Sequence, residues 1–205
     1  MTTTTKPTKP EAISTQIPDY GIFVECVATR NKQQTHGSWI DLEKIKRPMD
    51  ICYSIQWILQ TSPNPDGEEW DITDHTCPTF LIEKSFPEIC QWMDSRTSLP
   101  ADEGEAFETF TEALGQIVTK EFFWDAFQGF YADESDFAWR RYEQQQGINL
   151  DPISQYVDWE RLWANEYETD GWRSCRVYIS VSMPAPDGRG TKTKIQGRTA
   201  IFKPV

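Results

Sequence analysis

The sequence predicts an α+β fold of short antiparallel strands and amphipathic helices. Three observations carry this. Brief runs of alternating apolar and polar residues stand near both ends of the chain, and apolar residues recur at three- and four-residue spacing between them. Pro, Gly and Asn turn signals, rather than long linkers, separate the segments. With 205 residues, 38% of them apolar and 13% aromatic, the chain has enough material for a folded core.

The elements follow in order. Ile22–Val27 reads as a strand, and after a polar turn through Asn31 to Gly37 the segment Ser38–Asp41 reads as its return. Pro48 to Gln60 carries Ile51, Ile55, Ile58 and Leu59 at the spacing of one helical face, and Ser62-Pro63-Asn64-Pro65-Asp66-Gly67 stops it. Trp70 and Ile72 alternate with Asp71 and Thr73, a strand pattern. Ser85 followed by Glu88 forms a capping box ahead of Ile89, Trp92 and Met93 and opens a short helix. Asp102 to Gln128 reads as one helical segment with Phe107, Phe110, Leu114, Ile117 and Val118 on a stripe. Further helices are predicted over Asp133 to Gln146, closed by Gly147, and from about Asp158 to Glu168. Arg176–Val181, a turn over Pro184 to Gly190, and Lys192–Phe202 predict a basic hairpin.

Charge is distributed very unevenly. Residues 66–170 hold 25 Asp and Glu against 6 Lys and Arg, a net of −19, whereas 1–65 carry +1 and 171–205 carry +6. An acidic disordered segment lacks the Trp, Phe and Tyr that crowd this stretch, so the carboxylates are displayed on a folded surface, and a cationic partner suits them. A formal net charge of −12 and a pI near 4.6 exclude direct binding to nucleic acid or to an anionic membrane, because phosphates are repelled. There is no run of 18 apolar residues and no hydrophobic signal core in Met1–Tyr20, which points to a cytoplasmic protein.

Nothing in the motifs demands an enzyme. Gly-x-Ser-x-Gly, a Gly-x-x-x-x-Gly-Lys phosphate loop and His-Glu-x-x-His are all absent from the sequence. Asp133 with Asp136, and Glu105 with Glu108 and Glu112, have spacings that suit a divalent cation or an acid–base couple, but with so many carboxylates such coincidences are expected. Cys26, Cys52, Cys77, Cys90 and Cys175 contain no Cys-x-x-Cys pair, and His36 and His75 lie far apart, so no metal or other cofactor is expected and the thiols read as reduced structural residues.

Three stretches resemble one family. Ile22-Phe23-Val24, Asn31 and His36-Gly37-Ser38-Trp39-Ile40-Asp41 are similar to an opening strand, an asparagine turn and a Gly-x-Trp return. Ser62-Pro63-Asn64-Pro65-Asp66-Gly67-Glu68-Glu69-Trp70-Asp71-Ile72-Thr73-Asp74 resembles a Ser-Pro-x-Pro-x-x-Glu-Glu-Trp-x-Ile-x-Asp signature over nearly its whole length. Tyr156-Val157-Asp158-Trp159-Glu160-Arg161-Leu162 is close to a Tyr-Ile-Asp-Tyr-Glu helix start. The family is the ArdA antirestriction proteins. Arg30 stands where that family favours an aromatic, 78–102 match loosely, and the tail beyond Val181 has no counterpart.

The resemblance implies an elongated chain of three small subdomains, here 19–75, 76–125 and 126–181, after a flexible lead of residues 1–18 and before a basic hairpin tail at 182–205. It further implies a non-enzymatic homodimer whose carboxylates stand in for DNA phosphates and occupy the DNA-binding groove of a type I restriction-modification enzyme. The alternative is an acidic scaffold of the same fold that binds another basic DNA-binding or regulatory partner. The expected mimic surface comprises Glu68, Glu69, Asp71, Asp74, Glu83, Glu103, Glu105, Glu108, Glu112, Asp133, Glu134, Asp136, Glu160 and Glu166. At one phosphate per about 1.7 Å, the central charge of two copies corresponds to roughly 65 Å of duplex. The family's antirestriction motif corresponds to about Phe127–Ala138, and the density of aromatics there places the dimer contact at Phe127, Phe130, Tyr131, Phe137 and Trp139. The basic tail reads either as a solvated hairpin or as a piece that folds against acidic surface and tunes partner choice.

Overall fold

The computed structural model describes residues 7–64, 67–147, 149–150, 154–184 and 191–204, with the backbone alone at 179–184 and 191–195. The chain divides into two compact units, Met1–Thr97 with Gly115–Ile117, and Ser98–Leu114 with Val118–Val205. Both are α+β. Each contains one small antiparallel sheet.

In the first unit, β1 (Ile13–Ser14), β2 (Gly21–Cys26), β3 (Gly37–Asp41) and β4 (Trp70–His75) lie in the order β1-β3-β2-β4. The expected opening hairpin is β2 with β3, Ile22 facing Ile40. Val27 belongs to a short helix, α1 (Val27–Arg30), instead of the strand. β1 falls within the segment expected to lead the chain. Its Ile13 pairs with Ile40 and is buried together with Ala12, and the Trp57 indole donates to the Pro7 carbonyl at 3.2 Å.

Helix α2 (Pro48–Gln60) has the predicted limits. Pro48 occupies its first turn, where no intrahelical amide bond is lost, and the Asp50 carboxylate accepts from the amides of Lys46 and Arg47 at 3.2 and 3.0 Å. Ile51, Ile55 and Ile58 face inward beside Ile22, Val24 and Ile40, and each side chain so buried contributes about 1.5–3 kcal/mol. Helix α3 (Phe86–Thr97) adds Ile89, Trp92 and Met93 to this core. At its start the Glu88 carboxylate accepts from both the amide and the hydroxyl of Ser85, at 2.9 and 2.6 Å.

In the second unit, β5 (Phe127–Tyr131), β6 (Arg173–Pro184) and β7 (Thr191–Phe202) lie in the order β5-β7-β6. β6 and β7 are the expected basic hairpin; its turn, beyond Pro184, lies outside the described residues. The hairpin's second strand is also the centre of the sheet. β5 pairs with its other edge, Phe130 opposite Ala200 and Tyr131 opposite Thr199.

The helix expected over Asp102 to Gln128 is two helices and a strand. α4 (Ala101–Leu114) ends at Gly115, whose φ of 63° is left-handed, and α5 (Lys120–Ala126) starts afresh because the Thr119 hydroxyl accepts from the Phe122 amide at 3.2 Å. Leu114, assigned to the apolar stripe, is 41% exposed. α6 (Glu134–Gln146) matches its prediction, with Asp133 capping the Asp136 amide at 2.9 Å and left-handed Gly147 ending it. The last helical run starts as α7 (Trp159–Leu162), capped by Asp158, and continues as a π-helix over Trp163–Glu168. That wider winding stacks Trp163 on Tyr167 at 5.7 Å and buries both.

Successive residues of a strand point to opposite faces, and β7 uses this to anchor two clusters. Phe202 stacks on Phe110 at 4.3 Å and lies near Phe123 and Phe127, while Ile201 joins Phe137, Ala138, Trp163 and Tyr167. Phe202→Ala is therefore expected to destabilise the second unit by about 3–5 kcal/mol, whereas exposed Lys203→Ala should stay within about 0.5 kcal/mol; urea denaturation of both variants checks this.

Candidate functional site

The signature segment around Ser62 is a structural clamp that delivers acids to the surface. Its Ser62 hydroxyl hydrogen-bonds the Thr29 hydroxyl at 2.9 Å, lies 3.6 Å from the Cys26 thiol, and accepts from the Asn64 amide at 3.2 Å. Asn64 is buried, and its carbonyl accepts from the Gly67 amide. A β-carbon on Gly67 would come within 2.7 Å of Cys26 Sγ, so only glycine lets the chain pass so close. From there the backbone of Glu69 accepts from Val27, and the chain enters β4, an edge strand.

This route exposes Glu68, Glu69, Asp71 and Asp74 together, and Glu83 is exposed on the following 3₁₀ turn. Asp71 is tied to Arg30 at 3.2 Å, and the same guanidinium lies 3.8 Å from Glu25. A charged edge also discourages strand-to-strand aggregation. The stretch 66–97 of the first unit holds eight acids against two bases, and 98–170 holds 17 against four.

In the second unit the predicted acids divide by role. Glu112, Asp133, Glu160 and Glu166 are exposed, whereas Glu103, Glu105, Glu108, Glu134 and Asp136 are half-buried. The Glu105 carboxylate accepts from the Tyr178 amide of edge strand β6 at 2.7 Å, and Glu134 accepts from the Ser174 hydroxyl at 2.7 Å. Asp136 accepts from the Ala132 amide and from Arg140 Nε at 2.7 Å. Asp133 and Asp136, paired by spacing, are thus a helix cap and an ion-pair partner. Among the described residues no group of three or more His, Cys, Asp and Glu is placed to hold a metal ion. Exposed acids outside the predicted set include Asp94, Glu121, Asp125 and Glu168. Their signal was helical phase, since each lies off the apolar stripe of its helix.

The aromatics expected at a dimer contact also separate. Phe137 is 2% exposed and its ring lies 5.0–5.7 Å from those of Tyr131, Trp163, Tyr167 and Trp172, so it is a core residue of its own chain. Phe127, Phe130, Tyr131 and Trp139 keep part of their surface. Trp124, 42% exposed, packs edge-on against Phe127, which packs edge-on against Phe130.

A family model described as Antirestriction protein (ArdA) matches residues 22–173, most of the chain. The chain belongs to the ArdA antirestriction family. No curated protein matches it. ArdA-family proteins are inhibitors rather than enzymes, and the family implies interaction with restriction-modification enzymes. Among the described residues, no helix of this ArdA-family chain is long and apolar enough to cross a membrane.

The thiols and acids of this ArdA-family chain carry a few shifted equilibria. Burial pushes the Cys90 thiol up to about 11, helped by Asp94 and Asp50, and burial alone raises Cys175. At Cys26 burial acts upward but is outweighed by hydrogen bonds from the Thr29 and Ser62 hydroxyls and from the Thr29 and Ala28 amides, so the thiol is lowered. The Ser85 hydroxyl and then the Ser85 amide hold Glu88 below the usual carboxylate value.

A depressed carboxylate stabilises the fold above its unfolded pKa, and that contribution disappears as pH falls through the folded value. Glu88→Gln should therefore lose stability at neutral pH and flatten the stability profile below about pH 4.3, as thermal melts across pH would show. Removing the edge cap by Glu105→Ala should cost about 1 kcal/mol, whereas Glu112→Ala, on the exposed side of α4, should be close to neutral; chemical denaturation separates them.

Proposed function

We propose that this ArdA-family protein acts in the cytoplasm as a DNA mimic, its exposed carboxylates occupying the DNA-binding groove of a type I restriction-modification enzyme. The observation that carries the reading is the exposure of Glu68, Glu69, Asp71, Asp74, Glu83, Glu112, Asp133, Glu160 and Glu166 on elements of both units. A groove built for phosphates reads position and charge more than base edges, so carboxylates fixed on a scaffold compete without reproducing a sequence. Long-range attraction to a basic groove also speeds association and makes it sensitive to salt.

The half-buried acids contribute less to this surface. Glu105, Glu134 and Asp136 are held by hydrogen bonds within the second unit, and their charge is directed at the chain's own donors. The reading includes a homodimer through the aromatic surface at Phe127, Phe130, Tyr131 and Trp139, with Phe137 supporting it from beneath.

Titrating the protein into a complex of a type I enzyme with labelled duplex tests the proposal. DNA should be released as the protein binds, more weakly as salt rises, and changing Glu68, Glu69, Asp71 and Asp74 together to their amides should weaken displacement about tenfold, while each single change stays within about twofold. A ternary complex that keeps its DNA would refute mimicry and favour the acidic-scaffold alternative. Phe130→Glu or Trp139→Glu should halve the sedimenting mass; an unchanged mass would refute the dimer contact.

A further inference from the structure

Among the acids of the first unit stands one large ring that the mimic reading does not use. The unit holds four tryptophans: Trp92 is buried, Trp39 and Trp57 are half-buried, and Trp70 alone is exposed, with 38% of its surface open. Trp70 opens β4, which pairs with β2 on one side, Trp70 opposite Cys26, and forms the edge of the sheet on the other. Phe86, the first residue of α3, lies against the indole with ring centroids 6.0 Å apart and planes tilted by 31°. Packing of this kind holds a ring in place without enclosing it.

The ring's surroundings are charged. Glu68, Glu69 and Asp71 flank it in the chain and are exposed. Asp71 is answered by Arg30 at 3.2 Å, whereas among the described residues Glu68 and Glu69 have no ion-pair partner. Nor, among the described residues, does any cation of the chain lie over the indole. The chain makes that contact elsewhere, with the Arg96 guanidinium 4.2 Å from the centre of the Tyr20 ring.

We propose that Trp70, backed by Phe86 and flanked by Glu68 and Glu69, is the docking platform for an arginine side chain of the basic partner; the partner itself is taken from the mimic reading, on which that part rests. Charge complementarity selects the occupant. The electron-rich face of an indole attracts a cation, and tryptophan does so best of the aromatic side chains. Two residues of extended chain span about 7 Å, so a guanidinium resting on the ring brings its donors within reach of the neighbouring carboxylates. Arginine suits this place better than lysine, because its flat, weakly hydrated guanidinium stacks and forks at once, while an ammonium holds its water. A second copy of the chain suits it least, since it would bring acids against acids along the edge. The platform also supplies what carboxylates lack. Contacts between exposed charges fade with salt, whereas a covered ring adds a part that salt leaves, and tryptophan and arginine are the residues that dominate interface energetics.

The test titrates the full chain, isotopically labelled, with blocked tri-arginine and tri-lysine peptides at one ionic strength, read at the Trp70 indole N–H resonance. Saturable shifts are expected, with tri-arginine bound about fivefold more tightly, the size of one exposed cation–π contact. Trp70→Leu should remove this preference and Trp70→Phe should keep part of it. Changing Glu68 and Glu69 together to Gln should weaken both peptides and keep the preference. A Trp70 resonance that stays still as the peptides bind overturns the platform, and this readout needs no variant to fold. Equal affinity for the two peptides also overturns it, as does a preference that survives Trp70→Leu, or a fall in sedimenting mass in Trp70→Leu, which would assign the ring to a second copy. Displacement of duplex from a type I enzyme separates the platform from mimicry. Trp70→Leu should need about tenfold more protein to release the DNA, with an unchanged dependence on salt. Equal release by the variant overturns the platform and leaves mimicry standing; a complex that keeps its DNA overturns mimicry, and the peptide preference then decides the platform alone.

Discussion

Twenty-five carboxylates within 66–170 repel one another, and the rest of the structure has to hold against that repulsion. Two unit charges 8 Å apart in water oppose each other by about 0.5 kcal/mol, small for one pair but repeated many times over such a surface. Burial has to offset it, and the aromatic content explains how. In the second unit Phe107, Phe110, Phe123 and Phe202 form one cluster and Phe137, Trp163, Tyr167 and Trp172 another, so a few large rings supply apolar area that smaller side chains would need more residues to match. The same constraint explains where some acids are placed. Asp50, Glu88, Asp133 and Asp158 meet free amides at helix starts, and Glu105 meets one at a sheet edge, positions where negative charge favours the fold.

This gives the acidic surface two populations that composition alone merges. One is anchored by the chain's own donors and stabilises it. The other, including Glu68, Glu69 and Glu83 in the first unit and Glu112, Glu160 and Glu166 in the second, faces solvent. The proposed mimicry draws on the second population, while the first limits how far the surface can be neutralised without loss of the fold. A count of acids therefore overstates the charge available to a partner.

Much of the first unit was legible because its signals are local. Pro48 and the isoleucines of α2, the alternation at Trp70 and Ile72, and Ser85 with Glu88 each act within a few residues of themselves. The second unit was harder to read. Gly115 and Thr119 are weak marks inside a strongly apolar run, and β5 becomes a strand only because it pairs with β7 some seventy residues later. β1 has two residues, too few for a period. The π-winding at Trp163 has no sequence signature at all. For the site, charge segregation and the Ser62–Asp74 signature pointed to family and surface, but the role of each carboxylate depended on donors distant in sequence, such as Tyr178 for Glu105 and Ser174 for Glu134.

The position of β7 bears on how the chain is made. Synthesis delivers α4, α5, β5 and α6 well before Ile201 and Phe202, the residues that anchor the clusters on the two faces of the sheet. Until β7 leaves the ribosome, the second unit holds a concentration of exposed aromatic rings that cannot close, while the elements of β1–β4, α2 and α3 are already complete. Unsealed apolar surface of this kind invites aggregation during folding. The acids around it then do a second service: their mutual repulsion keeps neighbouring nascent chains apart through the interval in which the rings wait for their strand.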